Sequence, residues 1–228
     1  EALLRWHSAT RGNVPPMQFI PIAEETGLII PLGTWVLNQA CRDAVGLKRR
    51  HDLPAGFVVS VNVSAWQLQR PEIVDDVRQA LAASGLPPEC LMLEITESMM
   101  MKNMELAVAR LTDLRELGVM IALDDFGTGY SSLNHIRLLP ITMLKIDKSF
   151  IANIHDDRDE ETLTTTIVEL ARARNLISIA EGAENRAQLS KLGQLGCSYA
   201  QGYLFSPPVP LAALEEQLDR DEQTPLAA

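Results

Sequence analysis

The sequence predicts an α/β fold, a TIM-like (β/α)8 barrel, and three observations carry that prediction. From about residue 57 onward, short β-rich runs alternate with amphipathic helical stretches, the pattern of a parallel sheet with helical crossovers. Nearly every run ends in a polar or charged residue, as barrel strands do where they reach the rim that carries chemistry. The 228 residues, 46% of them hydrophobic, supply enough apolar side chain to fill one barrel-sized core.

In chain order, Glu1–Trp6 reads as a strand, Phe19–Gly27 as a short helix and Trp35–Arg49 as a longer one. Strand runs follow at Phe57–Ser64, Cys90–Thr96, Val119–Asp125, Met143–Asp147, Ile177–Gly182 and Tyr199–Phe205. Between them Val74, Val77 and Leu81 recur at helical spacing before Gly85, as do Met104, Val108, Leu111, Leu114 and Leu117 before Gly118. A glycine there suits a C-terminal cap. Ile167, Leu170 and Ala171 repeat the pattern before Asn175. Seven strands are visible in this reading, and an eight-stranded barrel is the nearest closed solution. One domain is expected over residues 1–218, with a disordered tail at 219–228. Because the chain opens inside a strand, it reads as a fragment of a longer protein.

Lys and Arg number 20 against 30 Asp and Glu, a net charge of −10. Such a field repels nucleic acid and anionic membrane surfaces, so neither is expected as a partner. An anionic substrate then requires a bound cation to reverse the local sign. Cys41, Cys90 and Cys197 are odd in number and never form a C-x-x-C pair, which argues against a disulfide framework and a thiolate zinc site. No apolar run approaches the roughly 18 to 20 residues that span a bilayer. The expected location is the cytoplasm, for the whole protein or for the cytoplasmic part of a membrane-anchored one.

The strand ends hold the chemistry. Asn62, Glu94, Asp124 with Asp125, Lys145 with Asp147, Glu181 and Gln201 each stand at or just past the end of a run. Side chains alternate between the two faces of a strand. Val61, Leu93, Leu123 and Ile146 are therefore expected to face outward, and Asn62, Glu94, Asp124, Lys145 and Asp147 inward. Glu181 breaks the pattern by sharing parity with Ile177 and Ile179, so that strand is expected to end or bulge before it. A lone acid at such a place is most simply a solvated loop end. A ring of them on one rim needs a cation to offset their repulsion.

The candidate ligands are all oxygens: Glu1, Asn62, Glu94, Asp124, Asp125 and Glu181. That set favours Mg²⁺ or Mn²⁺ over zinc. Adjacent Asp124 and Asp125 suit bridging two ions about 3.5 to 4 Å apart, as in two-metal phosphodiester chemistry. His7, His51, His135 and His155 lie off this rim. The two glycines of Asp125–Leu133 suit a tight turn into a helix, and the acidic run 156–161 suits the opening turn of another.

These residues sit in blocks that resemble the EAL-domain family, bacterial phosphodiesterases that linearise cyclic di-GMP. The blocks are EALLRW at the start, FIPIAEETGLI at 19–29, VNVS at 61–64, LEITES at 93–98, IALDDFGTGYSSL at 121–133, LKIDKSFI at 144–151, AEGAE at 180–184 and QGYLFSPP at 201–208. The resemblance implies a barrel whose first strand is antiparallel to the rest and two Mg²⁺ or Mn²⁺ ions held by Glu1, Asn62, Glu94, Asp124, Asp125 and Glu181. It further implies that Lys145 orients or helps deprotonate the attacking water with Asp147 close by, and that Glu184 and Gln201 position water or ligands. Arg5 is similar to the family's substrate-contacting Arg, which pairs with a phosphate. Glu97 resembles the residue that anchors the glycine loop after the Val119–Asp125 strand and couples the metal site to a dimer interface. The implied reaction is in-line attack of water on phosphorus to give linear pGpG, in a homodimer that follows sensor or GGDEF-type modules. Ala183 stands in place of the usual Val and Thr142 in place of a frequent acid, both outside the ligand set. Two other readings share this rim: a catalytically silent EAL domain acting as a cyclic di-GMP receptor or interaction module, and a metal-dependent aldolase or enolase-type barrel.

Overall fold

The computed structural model describes residues 1–99, 103–127, 133–155 and 158–223. At the N-terminus, Ala2 N donates to Ser60 O at 2.9 Å and Ala2 pairs in parallel with Val61, which brings Glu1 to the sheet. The chain then forms an antiparallel hairpin of β1 (Trp6–Ser8) and β2 (Gly12–Val14). The Glu1–Trp6 run is thus a single bridge followed by a short strand that starts at its last residue. Antiparallel pairing lies in this hairpin, while at the main sheet Ala2 runs parallel to its neighbour.

Helix α1 (Pro16–Glu25) opens with Pro16, whose missing N–H costs nothing in a first turn. Helix α2 (Ile29–Arg50) starts six residues before the expected Trp35, because Pro31 and Gly33 fall in its first turns, where proline is tolerated. Leu37, Ala40, Cys41, Ala44 and Leu47 give it a buried stripe, and Lys48, Arg49 and Arg50 complement the negative end of its dipole.

The main sheet contains β3 (Val59–Asn62), β4 (Leu91–Thr96), β5 (Met120–Phe126), β6 (Met143–Ile146), β7 (Ile177–Ala180) and β8 (Tyr199–Ala200). All pair in parallel, in the order β3-β4-β5-β6-β7-β8. Among the described residues this is a half-barrel of six strands, not the eight of the closed solution. Helices α3 (Ala65–Gln69), α4 (Ile73–Ser84), α5 (Met104–Glu116), α6 (Leu133–Leu138), α7 (Arg158–Ala173) and α8 (Arg186–Leu195) make the crossovers. Gly85, at φ 74°, ends α4 in the expected left-handed cap. Helix α9 (Leu211–Gln223) follows the last strand. Residues 219–223, in the stretch expected as a disordered tail, form the last turn of this helix, behind the apolar positions Leu211, Leu214 and Leu218. Residues 224–228 lie outside the described residues.

Two apolar layers flank the strands. Val61, Leu93, Leu123, Leu144, Ile146 and Ala180 join the helix-facing core with Cys41, Val77, Leu111, Val168 and Leu192. Each large side chain buried there contributes about 1.5–3 kcal/mol. The opposite parity, Met92, Ala122 and Met143 with Val58, Met120, Ile177 and Ile179, forms a smaller cluster of its own inside the curl. Of the two expectations for Glu181, the strand ends before it, at Ala180, and no bulge is needed: Ile177 and Ile179 point inward, and Ser178 and Ala180 face the helices. Glu181 N donates to Ile146 O at 3.0 Å, extending the ladder in register. Among the described residues, no helix is long and apolar enough to cross a membrane.

Candidate active site

The inner apolar cluster is the floor of the site, and the next inward residue along β4, β5, β6 and β7 is ionisable. Glu94 stands two residues after Met92, Asp124 after Ala122, Lys145 after Met143 and Glu181 after Ile179. Period-two alternation thus stacks a charged layer on a greasy one.

Lys145, 1% exposed, is the hub. Its Nζ lies 2.6 Å from Glu181 Oε1, 2.9 Å from Glu94 Oε2 and 3.2 Å from Asp124 Oδ1. Burial disfavours its ammonium, but Glu94, Glu181 and Asp124 together outweigh that and raise its pKa, so it stays charged. The carboxylates are pushed the other way. Burial raises Glu94 against the pull of Lys145, with Glu1 and Asp124 adding to the rise. Burial also lifts Glu181 to about 7, again opposed by Lys145 and helped by Asp124 and Glu1. Asp125 is raised by burial and by the charges of Asp124 and Asp147. At Asp147 burial works against ionisation, but hydrogen bonds from Ser149 and from the Lys148 amide outweigh it and lower the pKa.

The sequence-derived residues converge unequally. Glu1 is exposed and accepts a hydrogen bond from Asn62 Nδ2 at 2.8 Å, which pairs the first residue with the tip of β3. Asp124 Oδ1 accepts from Asp125 N at 3.0 Å. Asp125 adopts φ 54°, a left-handed conformation that costs a non-glycine residue of order 1–3 kcal/mol and is typical of functional sites. Gln201 donates to Glu181 Oε1 at 2.9 Å. Asp147 caps the 3-10 turn Lys148–Phe150 by accepting from Ser149 N. Arg5 and Glu184 are exposed, and Arg5 Nη1 donates to Leu4 O at 2.9 Å. Glu97 opens a 3-10 turn just after β4. The loop it was expected to anchor lies, at 128–132, outside the described residues, as does the His135 side chain.

One ligand atom each from Asp124, Asp125 and Glu181 lies within 4.8 Å of the others, a group able to hold a metal ion. Glu94 Oε2 is buried, with the Lys145 ammonium 2.9 Å away. Five carboxylates, from Glu1, Glu94, Asp124, Asp125 and Glu181, face the one ammonium of Lys145 in this group. Hard oxygen donors in excess of the local positive charge are what Mg²⁺ or Mn²⁺ require.

The family model of the EAL domain matches residues 1–208. The chain belongs to the EAL-domain family. This EAL domain is 44% identical over 215 residues to the bifunctional diguanylate cyclase/cyclic di-GMP phosphodiesterase MucR of Pseudomonas aeruginosa, covering 94% of this chain and 31% of MucR. It is 45% identical over 219 residues to the cyclic di-GMP phosphodiesterase NbdA of the same species, covering 96% of this chain and 28% of NbdA. It therefore spans less than a third of the length of these curated relatives. Among solved structures, the PaMucR phosphodiesterase in complex with c-di-GMP matches with a TM-score of 0.87 at 42% identity, covering 93% of this chain and 85% of that one.

Two buried glutamines escaped the reading of the sequence. Gln67 is 7% exposed and forms a capping box with Ser64, just past Asn62. Gln188 is 3% exposed and forms one with Asn185, just past Glu184. The signal was present in both cases as Ser or Asn followed three residues later by Gln. The Gln67 carboxamide packs against Gly33, where a Cβ would make it shift.

Proposed function

We propose that this EAL domain hydrolyses cyclic di-GMP to linear pGpG, using two Mg²⁺ or Mn²⁺ ions held by Glu1, Asn62, Glu94, Asp124, Asp125 and Glu181. The observation that supports it most is the buried Lys145 among Glu94, Asp124 and Glu181, with Asp125 beside them, an acid-rich layer that repels an anionic substrate until cations fill it. Bound divalent cations supply Lewis-acid polarisation of a phosphoryl group and acidify a water nucleophile.

The chain's own residues do the rest. Lys145 contacts three carboxylates, so it fixes Glu94, Asp124 and Glu181 and stands where it orients, or helps deprotonate, the attacking water. Asp147, kept ionised by its turn, lies where it polarises the same region. Gln201 holds Glu181 in one rotamer by hydrogen bonding, and Glu184 sits at the loop end where it positions water. Arg5 is exposed, and its guanidinium is suited to pairing with a substrate phosphate. Glu97 serves regulation, linking the glycine loop to a homodimer contact. Sensor or GGDEF-type modules precede the domain in the full-length protein, which works in the cytoplasm or on the cytoplasmic side of a membrane. Residues 1–218 form the phosphodiesterase domain.

The test is to incubate the purified chain with cyclic di-GMP and Mg²⁺ or Mn²⁺ and to resolve products by anion-exchange chromatography. Metal-dependent pGpG that vanishes with EDTA is the expected result. Product formed equally in EDTA overturns the metal assignment. No product, with cyclic di-GMP binding retained in calorimetry, overturns the enzyme in favour of a receptor.

A further inference from the structure

Gln188 does more than cap a helix. Its Oε1 accepts from Glu184 N at 2.7 Å and Asn185 N at 3.1 Å. Its Nε2 donates to Ile151 O at 3.2 Å and Ala152 O at 3.1 Å. A carboxamide has two acceptor and two donor positions, and here all four are spent across two different rim loops. One is the Glu181–Asn185 loop after β7. The other is the turn after β6, which Asp147 caps and whose Ile151 and Ala152 amides close onto Lys148 O.

The loops also touch directly. Gly182 adopts φ 71°, and a Cβ on it would stand 2.6 Å from Lys148 Cβ. The far side of the Glu181 loop is held by backbone hydrogen bonds from Ala183 N to Gln201 O and from Leu204 N to Ala183 O. A capping box alone needs only the acceptor side of this glutamine. The two bonds to Ile151 and Ala152 are additional, and they join the elements that carry Glu181 and Glu184 to those that carry Lys145 and Asp147.

We propose that Gln188 is a positioning residue that clamps the Glu181–Asn185 loop to the Asp147–Ala152 turn and so sets where Glu181 and Glu184 stand relative to Lys145 and Asp147. Only the kinetic arm of its test rests on the phosphodiesterase reading. Outer groups of this kind typically change metal affinity or activity by roughly 10- to 100-fold when removed.

Three variants separate the clamp from general stability. Gln188→Met keeps the length of the side chain and loses all four bonds. Gln188→Glu keeps the acceptors for Glu184 N and Asn185 N and loses both donors. Leu192→Ala removes packing from the same helix, at a position 1% exposed, without touching the clamp. Each is measured for amide hydrogen exchange, Mn²⁺ binding by calorimetry, thermal midpoint, and kcat and KM on cyclic di-GMP.

In Gln188→Met the Glu184 and Asn185 amides should exchange faster, Mn²⁺ should bind about tenfold more weakly and kcat should fall about tenfold, with KM within about twofold. Gln188→Glu should retain amide protection yet lose kcat to a similar extent. Leu192→Ala should lower the midpoint and keep wild-type kcat at temperatures where it is folded. Wild-type exchange and Mn²⁺ affinity in Gln188→Met overturn the clamp. So does wild-type kcat in Gln188→Glu, which reduces the residue to a cap, or an equal loss of kcat in Leu192→Ala. An inactive wild type, with exchange and Mn²⁺ binding altered as expected in Gln188→Met, sinks the phosphodiesterase reading and leaves the clamp standing.

Discussion

Lys145 is a buried ammonium that the fold cannot lose cheaply. Replacing it with Met leaves Glu94, Asp124 and Glu181 without their counter-ion, and removal of one partner of a buried pair costs roughly 3 to 5 kcal/mol. Glu94 and Glu181 are already raised toward protonation, so Lys145→Met should sit at the lower end, about 3 kcal/mol. Urea denaturation in EDTA checks this, and turnover should fall at least about 100-fold. Glu181 gives a pH signature. Its folded pKa of about 7 exceeds the ordinary 4.5, so between those values the folded state binds more protons and metal-free stability falls as pH rises. Lys145 acts outside this window, since its raised pKa contributes stability that persists until strong alkali. Metal binding needs the ionised carboxylate, so Mn²⁺ should bind more tightly as pH rises toward 7 and release protons below it, which calorimetry in two buffers measures. A pH-independent affinity across that range contradicts the assignment of Glu181 as a ligand. At this scale the sequence was readable wherever strand parity governs: Glu94, Asp124 and Lys145 point inward as their neighbours require. Parity misled at Glu181, because isoleucine was taken to mean the helix-facing side, while the inside of the curl is apolar below its charged layer.

Between elements, the close approaches are made by glycines. Gly202 comes so near the Ala183 backbone that a Cβ would stand 2.3 Å from its carbonyl oxygen, and the strand predicted over Tyr199–Phe205 is confined to Tyr199–Ala200. Gly182 combines positive φ with contact on Lys148. Gly182→Ala should therefore cost about 1–3 kcal/mol and lower kcat by pushing the Glu181 loop off the Asp147 turn, with thermal unfolding and steady-state kinetics as the checks. Full activity in this variant means the two loops need not touch. Long periodic helices such as α4 and α5 were legible from their apolar stripes. Helices α3 and α8 were not, since α3 spans five residues and α8 buries only Gln188 and Leu192. Their starts are written in capping boxes, whose meaning for the site emerges only when the loops come together.

For the molecule as a whole, a net charge of −10 opposes any anionic ligand, and the rim gathers acids around one lysine. The family was legible because its motifs are strand ends that the barrel gathers on one rim. The closing of the sheet was not, since the described strands of the main sheet number six and the segment at Glu1 joins them through Ala2 alone. The decisive measurement is a ³¹P NMR time course of cyclic di-GMP with the purified chain and Mg²⁺. Cyclic di-GMP has only phosphodiester phosphorus, so hydrolysis to pGpG should produce a monoester resonance that grows to equal the diester when conversion is complete, and EDTA or Lys145→Met should suppress it. A spectrum that stays purely diester, with cyclic di-GMP bound and metal present, contradicts the phosphodiesterase and leaves a receptor in its place.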